Sequence, residues 1–340
     1  MARAPTILGM ELVCPAGGLP ALKAAIDNGA DWVYLGMRDA TNARNFAGLN
    51  FDERSLAEGL AYAHARSRRI VLAVNTYPQA ASWERWTSAI DRAAALGVDA
   101  VIVADLGLID YARRKHPKLE IHLSVQGSAT SHEAVNFFNE RFGVKRAVLP
   151  RVLSVAQVEQ VTKNTPVEIE VFGYGGLCVM AEGRCALSAY ACGDSPNTTG
   201  ACSPGHAVRW QETPAGLESR LNGVLIDRYG EAEQRAYPTL CKGRFTVQGE
   251  TYYAIEEPAS LNTLELLPEF ARIGVAAIKI EGRQRSPAYV AQVTRVWREA
   301  IDALKREGER FAPRPAWLAA LDRQSEGSQH TLGAFSRPWK

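Results

Sequence analysis

Short apolar segments alternate with helical patterns over most of the first half of the chain, and this alternation restricts the fold more than any other feature. The apolar segments are rich in Val, Ile and Leu, as expected for strands that are buried on both faces of a sheet. Helical patterns separate successive segments. The seven predicted strands before residue 173 are Glu11–Pro15, Trp32–Gly36, Ile70–Thr76, Ala100–Ala104, Ile121–Val125, Arg146–Pro150 and Glu168–Phe172.

Strands that alternate with helices predict a parallel sheet. An eighth strand, Ala277–Glu281, comes much later and precedes a helical pattern at Ala288–Lys305. Eight strand–helix units indicate an α/β fold of the TIM-barrel type, and the pattern leaves open whether the barrel is complete, incomplete or distorted. An open doubly wound sheet is the alternative. It has less support because the sequence has no glycine-rich nucleotide fingerprint.

The stretch from Gly173 to Glu256 interrupts this rhythm and holds five of the six cysteines. We interpret it as an insertion after the seventh strand, at the C-terminal mouth where barrel active sites lie. The predicted parts are therefore barrel units one to seven in 10–172, the cysteine-rich insertion in 173–256, the last barrel unit in 257–310 and a tail in 311–340. The tail contains Trp317, Phe335 and Trp339, and we expect it to pack along the surface or against a partner.

The charge balance excludes little but favours no polyanionic partner. Lys and Arg number 39 and Asp and Glu 37, which gives a net charge of +2 and no electrostatic reason to expect nucleic acid or an anionic membrane. The N-terminal residues lack the apolar core of a signal peptide, and the apolar runs are too short to span a bilayer. We therefore expect a cytoplasmic protein without stable membrane insertion, in which cysteines indicate metal or redox chemistry rather than disulfides.

Four cysteines have the wide spacing C-x6-C-x16-C-x38-C: Cys178, Cys185, Cys202 and Cys241. Thiolates hold both iron–sulfur clusters and structural zinc. Zinc sites usually present cysteine pairs two to four residues apart, and the sequence has none, so the spacing favours a cluster modestly. From spacing alone Cys192 is also a candidate ligand. Cys14 ends the first strand, which favours a core or mouth-lining thiol.

Several long phrases resemble the collagenase-like peptidase family. They include ELVCPAGGLPALKAAIDNGADWVYLG, TNARNFAGLNF, GGLCVMAEGRC, SPNTTGACSP, YPTLCKGR and IKIEGRQRSPAYV, and the likeness runs from about Met10 to the C-terminal TLGAF. The resemblance implies a TIM-barrel-like core and a [4Fe–4S] cluster. It assigns the four ligands to Cys178, Cys185, Cys202 and Cys241 and makes Cys192 a spare thiol.

Within that family the phrases are similar to the branch that acts in oxygen-independent ubiquinone biosynthesis. This likeness implies a heterodimer with a UbiV-like subunit, hydroxylation of the aromatic ring of a ubiquinone precursor, and prephenate as the oxygen donor. Related family members hydroxylate RNA bases, and the family name raises collagenase-like peptidase activity, so both are alternatives. The peptidase alternative is weakened because the sequence has neither a G-x-S-x-G nor an H-E-x-x-H motif.

Polar residues follow several predicted strands, at the end where barrel chemistry collects. They are Asn75, Asp105, Gln126, Arg151, Glu281 and Arg283, and Arg44 lies in the long loop after the second strand. Prephenate carries two carboxylates, and the arginine fork suits bidentate binding of such groups. We therefore predict that Arg44, Arg151 and Arg283 include anion-binding residues. Ion pairs that close the barrel mouth are the alternative for each.

Overall fold

The computed structural model describes residues 9–46, 48–197, 200–327 and 329–337. Its first half contains seven strands in parallel, each paired with the next along the chain. Their bounds are β1 Glu11–Pro15, β2 Trp32–Gly36, β3 Arg69–Val74, β4 Ala100–Val103, β5 Glu120–Leu123, β6 Arg146–Val148 and β7 Glu168–Gly176.

Six helices connect these strands and cover the outside of the sheet. They are α1 Leu19–Asp27, α2 Glu53–His64, α3 Trp83–Leu96, α4 Leu106–Lys115, α5 His132–Phe142 and α6 Val155–Lys163. Their ends follow from local sequence. Asp52 and Ser154 form capping boxes at the starts of α2 and α6, and α3 ends on Gly97 in the left-handed conformation, at φ 78°.

A repeated phrase of the sequence, Gly-x-Asp before a strand, has a structural reason. The Asp31 carboxylate accepts a hydrogen bond of 2.8 Å from the amide of Leu12, at the start of β1. In the same way the Asp99 carboxylate accepts one of 2.7 Å from the amide of Ile70 in β3. Each aspartate thus ties the start of its own strand to the start of the preceding strand.

The region after β7 builds a small second layer. It contains one short helix, a three-stranded antiparallel sheet and a two-stranded hairpin. The bounds are α7 Leu187–Cys192, β8 Val208–Thr213, β9 Gly216–Leu221, β10 Val224–Tyr229, β11 Arg244–Val247 and β12 Glu250–Tyr253. β7 itself continues to Gly176, four residues beyond the predicted end of the seventh strand.

The remaining elements include the strand that closes the barrel. They are β13 Ala259–Asn262, α8 Leu267–Arg272, β14 Ala277–Ile280, α9 Pro287–Glu307, α10 Pro315–Asp322 and β15 Gln329–Thr331. β14 pairs in parallel with both β1 and β7, so β1 to β7 and β14 form a closed eight-stranded barrel. The predicted TIM-type fold is confirmed with complete closure, and the open sheet is excluded. β13 and β15 extend the sheet outward from the end of β7.

Side chains alternate between the barrel interior and the layer beneath the helices. The interior holds an apolar group that includes Val13, Trp32, Tyr34 and Ile102. It also holds charge: Nζ of Lys279 lies 2.7 Å from Oε1 of buried Glu170. Lys279 also lines the cavity at the barrel mouth, so this ion pair adjoins that cavity.

The C-terminal tail packs on its own chain. Phe335 is buried with its ring centroid 5.2 Å from that of Phe270. Trp317 is also buried, and its Nε1 donates a hydrogen bond of 2.9 Å to Glu299. Trp339 lies outside the described residues. Among the helices of the described ranges, none is both long enough and apolar enough to cross a membrane.

Candidate functional site

A cavity opens at the C-terminal mouth of the barrel, and the three predicted arginines all line it. The other lining residues come mostly from strand ends and the loops after them: Tyr34, Ala43, Ala73, Asn75, Ile102, Ser124, Val125, Gln126, Val148, Phe172, Glu182, Lys279 and Glu281. Asp105 was expected among them, but its carboxylate accepts from the amide of Leu108 and caps α4 instead. The mouth cavity is therefore where the predicted polar residues, apart from Asp105, converge.

Arg283 is the most unusual of these residues because it is a buried cation without an ionic partner. Its Nη1 donates a hydrogen bond of 2.6 Å to Oδ1 of Asn42, and no described carboxylate lies within ion-pair distance. Burial, reinforced by nearby Arg44, lowers the pKa of Arg283 to about 10. The side chain is still protonated at neutral pH, so the mouth cavity contains a cation without an ion pair to a described carboxylate, which favours an anionic ligand.

Asn42 fixes the orientation of this guanidinium. Its Nδ2 donates 3.0 Å to the carbonyl of Met37, so its Oδ1 is left to accept from Arg283 and from the amide of Arg44. The side chain occupies the space beside Gly36, where an added Cβ would lie 2.2 Å from Cγ of Asn42. The loop after β2 thus holds its asparagine against Arg283.

Arg151 and Arg44 have other partners. Nε of Arg151 donates 2.7 Å to Oε1 of Glu182, and the guanidinium lies 4.2 Å from the ring centre of Phe172. Arg151 therefore forms the ion pair of the alternative interpretation. Nη1 of Arg44 donates to the carbonyls of Ala43 and Gly200, which joins the loop after β2 to the insertion. Arg44 makes no ion pair with a described carboxylate.

Glu281 is a second carboxylate in the mouth cavity, beside Glu182. Burial opposes its ionisation, but Arg44, Arg151 and the amide of Gly176 outweigh this effect and lower the pKa of Glu281 below its ordinary value. Oε2 of Glu281 accepts a hydrogen bond of 3.2 Å from the Gly176 amide. The mouth cavity therefore contains both an ionised carboxylate and a cation with no ion pair to a described group.

The four predicted cysteine ligands lie near enough to one another to interact electrostatically. Burial raises the pKa of Cys241 to about 12, and the nearby thiols of Cys202, Cys178 and Cys185 add to this rise. No three His, Cys, Asp or Glu side chains in the described ranges converge as they would around one metal ion. Thiolates hold both structural zinc and iron–sulfur clusters, so the chemistry of this donor set fits either group.

Two glycines seat the cysteine segments on the barrel mouth. Gly183, between Cys178 and Cys185, lies so close to the barrel that an added Cβ would be 2.1 Å from the carbonyl oxygen of Gln126. Gly200, two residues before Cys202, leaves even less room: its Cβ would lie 1.2 Å from the carbonyl oxygen of Ala43. Both have positive φ. The cysteine segments therefore contact residues that line the mouth cavity.

The other two cysteines are part of packed cores. Cys14 is fully buried, faces α9 and accepts a hydrogen bond of 3.2 Å from the Thr294 hydroxyl, so it is a core thiol and does not line the mouth. Cys192 packs against the small core of the insertion, which contains Ala207, Leu221 and Ile226. This packing accounts for Cys192 as a small apolar side chain.

The family of the chain is shown by its sequence over almost its whole length. The model of the family described as Peptidase family U32 matches residues 17–336. The chain belongs to this family. The resemblance to the collagenase-like peptidase family is therefore confirmed, and the residues of the mouth cavity and the four cysteines all lie inside the matched U32 region.

Curated relatives cover a similar extent. The chain is 32% identical over 316 residues to tRNA hydroxylation protein P1 of Bacillus subtilis, which is 92% of this chain and 68% of that protein. It is 32% identical over 313 residues to tRNA hydroxylation protein P of Escherichia coli, covering 86% and 68%. A collagenase of Porphyromonas gingivalis is 30% identical over 308 residues, covering 86% and 66%. This U32 chain thus spans about two thirds of the length of these relatives.

The residues that sequence reasoning missed include Lys279 and Glu182, which line the mouth cavity, and Asn42, which orients Arg283. Lys279 lies within a predicted strand. Its alternation with the isoleucines of IKIE was the only sequence signal that it faces the barrel interior. Asn42 precedes the predicted Arg44 by two residues. Glu182 lies between two predicted cysteine ligands, and no pattern in the sequence connects it with Arg151, from which it is separated by 31 residues.

Proposed function

We propose that this chain is the cluster-bearing subunit of an oxygen-independent hydroxylase, with a [4Fe–4S] cluster held by Cys178, Cys185, Cys202 and Cys241. The observation that carries the proposal is the direct seating of the cysteine segments on a mouth cavity that contains an unpaired buried arginine. Two U32 relatives are named for tRNA hydroxylation, which supports the reaction class.

Hydroxylation without dioxygen needs another source of oxygen and a route for electrons. When bound, a thiolate-ligated cluster supplies one-electron transfer. The chain's own contribution in this proposal is the placement of the cysteine segments against residues that line the mouth cavity. Cys202 is exposed, which leaves one side of the cysteine centre accessible to a redox partner.

The oxygen donor is proposed to be a small organic acid. Arg283, fixed by Asn42, binds its carboxylate, and the free face of Arg44 assists. Tyr34 and Phe172 also line the mouth cavity, with Lys279 and Arg151 over their rings at 3.9 Å and 4.2 Å. The resemblance described above makes prephenate the first candidate for this acid.

The acceptor is proposed to be the aromatic ring of a ubiquinone precursor, with a UbiV-like subunit as partner in a heterodimer. The support for this acceptor is the likeness of the sequence phrases to the ubiquinone branch, where the corresponding protein is UbiU. The second candidate is a base of tRNA, and the relatives' names support it more directly than they support the ubiquinone precursor. The two candidates share the cysteine centre and the mouth cavity.

Peptidase activity is the alternative suggested by the family name and by the name of the collagenase relative. A nucleophilic peptidase needs a nucleophile beside a base. Among the described lining residues there is no histidine and no cysteine, and Ser124 instead accepts a hydrogen bond from the amide of Gln126. The described lining of the mouth cavity therefore offers neither a Ser–His nor a Cys–His pair.

The test is a gene deletion in cells grown without oxygen, followed by mass spectrometry of quinones and of tRNA nucleosides from the same culture. Loss of the quinone with unchanged nucleosides supports the ubiquinone precursor, and the reverse supports tRNA. The full chain is purified anaerobically in parallel for iron and sulfide analysis. Zinc in place of iron, or no change in either product, would refute the proposal.

A further inference from the structure

Two buried oxygen atoms of the mouth cavity lack a hydrogen-bond partner among the described residues. They are Oε2 of Glu182 and Oε1 of Gln126, and both side chains line the same cavity as Arg283. Buried acceptors in folded proteins are almost always satisfied, so each exception requires an explanation. A ligand that brings a hydrogen-bond donor would satisfy these atoms.

Glu182 is the more informative of the two. An ionised carboxylate only accepts hydrogen bonds, whereas the amide of Gln126 can be turned around. The Glu182 side chain is about nine-tenths buried, at 10% exposure. Its Oε1 is already occupied by Nε of Arg151 at 2.7 Å, which holds the carboxylate in one orientation and leaves Oε2 for another donor.

The backbone of Glu182 also has fixed contacts. Its carbonyl accepts a hydrogen bond from the Ser128 hydroxyl. The next residue, Gly183, contacts the carbonyl of Gln126 so closely that a Cβ does not fit. The free oxygen therefore has a defined position, as a recognition group requires.

Arg283 presents the opposite chemistry to the same cavity. It is buried, has one hydrogen bond, to Asn42, and makes no ion pair within the described part of the chain. A ligand that satisfies both residues needs an anionic group for the guanidinium and a donor for the carboxylate. Neither a simple acid nor a simple alcohol meets both needs.

We infer that the mouth cavity selects a small organic acid that also carries a hydroxyl or N–H donor, with the acid group at Arg283 and the donor at Oε2 of Glu182. The inference rests on the proposed function only in taking this cavity as the substrate site. Glu182 is then a specificity-determining residue on the cysteine loop. An acid without the donor leaves the buried carboxylate oxygen unpaired and is rejected for that reason.

The test uses pairs of acids that differ by one hydroxyl: 4-hydroxyphenylpyruvate with phenylpyruvate, and malate with succinate. Each is titrated calorimetrically into the full chain purified anaerobically with its iron. We expect the hydroxylated member of at least one pair to bind roughly tenfold or more tightly, as a hydrogen bond to a charged acceptor provides. Equal affinities within both pairs, or no binding of any of the four, would overturn the inference.

Variants separate the two ends of the mouth cavity. Glu182→Gln should abolish the preference for the hydroxyl, whereas Arg283→Met should weaken both members of a pair by the same factor. Glu212→Gln, at an exposed glutamate of β8, is the matched control and should leave both affinities unchanged. A preference that survives Glu182→Gln refutes the role of Glu182.

The wild-type comparison needs no variant, so misfolding of Glu182→Gln does not block the test. A chain that carries iron and hydroxylates but shows no hydroxyl preference refutes this inference alone. A chain that shows the preference but supports no hydroxylation in the deletion experiment refutes the proposed function alone.

Discussion

Nε of Arg151 lies 2.7 Å from Oε1 of Glu182, and this ion pair joins the barrel to the segment between Cys178 and Cys185. Both partners are largely buried. Arg151 also donates to the carbonyl of Gly176 and lies over the ring of Phe172, so its position is fixed independently of the insertion. The barrel therefore carries a rigid anchor onto which the cysteine segment is docked. The segment that carries two of the predicted metal ligands therefore also supplies Glu182 to the mouth cavity.

Gly200→Ala should displace the segment that leads to Cys202. The new Cβ would lie 1.2 Å from the carbonyl oxygen of Ala43, which belongs to the barrel loop and cannot yield without moving that loop. We expect the variant to lose most of its iron while the barrel stays folded. Iron per chain after anaerobic purification, together with the thermal midpoint of unfolding, measures the two effects separately.

Gly193→Ala is the control for this change. Gly193 has φ 78° and Gly200 has φ 77°, but a Cβ on Gly193 meets nothing within 4 Å. Both variants therefore carry the same left-handed strain of roughly 1–2 kcal/mol, and only Gly200→Ala adds the clash. Equal iron contents in the two variants would show that the contact with Ala43 does not position the cysteine segment.

Serine substitutions should divide the six cysteines into four and two. Changing Cys178, Cys185, Cys202 or Cys241 to Ser should each reduce the iron from about four per chain. Cys192→Ser and Cys14→Ser should retain it, because these two thiols pack in apolar cores. Iron and sulfide analysis of the six variants measures this division. Loss of iron from Cys192→Ser would show that Cys192 is a ligand and not a spare thiol.

The barrel could be predicted from the sequence because strands that are buried on both faces appear as short apolar runs. β1 and β2 have the predicted bounds, and β14 differs from its prediction by one residue. The sheet of the insertion was not predicted. β8 is exposed over most of its length and β12 likewise, so neither shows the alternation of apolar and polar residues that marks a half-buried strand.

Residues of the mouth cavity could be predicted only when they follow a strand in the sequence. Arg151 and Arg283 were found this way, because the ends of parallel barrel strands meet at one face. Lys279 was not, since a lysine inside a barrel is stable only with a partner, and Glu170 is 109 residues away in the sequence. Such pairs depend on the closure of the barrel and leave no local pattern.

Glu170→Gln should destabilise the fold strongly. It leaves Lys279 and Arg146 without the buried carboxylate that lies between them, at 2.7 Å and 3.6 Å. Loss of one partner of a buried ion pair costs about 3–5 kcal/mol, whereas removal of both charges is often close to neutral. We therefore expect Glu170→Gln with Lys279→Met to recover part of the loss, as measured by urea unfolding.

The exposed pair of Lys23 and Glu58 is the control for that comparison. Nζ of Lys23 lies 2.8 Å from Oε1 of Glu58, a distance similar to that of the buried pair, but both side chains are well exposed. Glu58→Gln should change the free energy of unfolding by less than about 1 kcal/mol. A buried-pair variant no worse than this control would show that the barrel interior tolerates an unpaired lysine.

His122 should make the fold less stable as the pH falls below about 6.5, the ordinary pKa of histidine. The side chain is buried in the barrel beside Glu120, Glu170, Arg146 and Trp32. Burial lowers its pKa in the folded state, although Glu120 partly opposes this. The folded chain therefore keeps His122 neutral, while below about pH 6.5 the unfolded chain takes up a proton.

Stability from His122 is thus fully present above that pH and declines below it. Urea unfolding between about pH 5 and 7 isolates the effect, because the carboxylates Glu170 and Glu281 have lowered pKa values and begin to contribute only below about pH 4.5. His122→Gln should flatten the decline. His330 also has a lowered pKa but is only partly buried, so His330→Gln should leave most of it in place. An unchanged slope in His122→Gln would mean that another group carries the pH dependence.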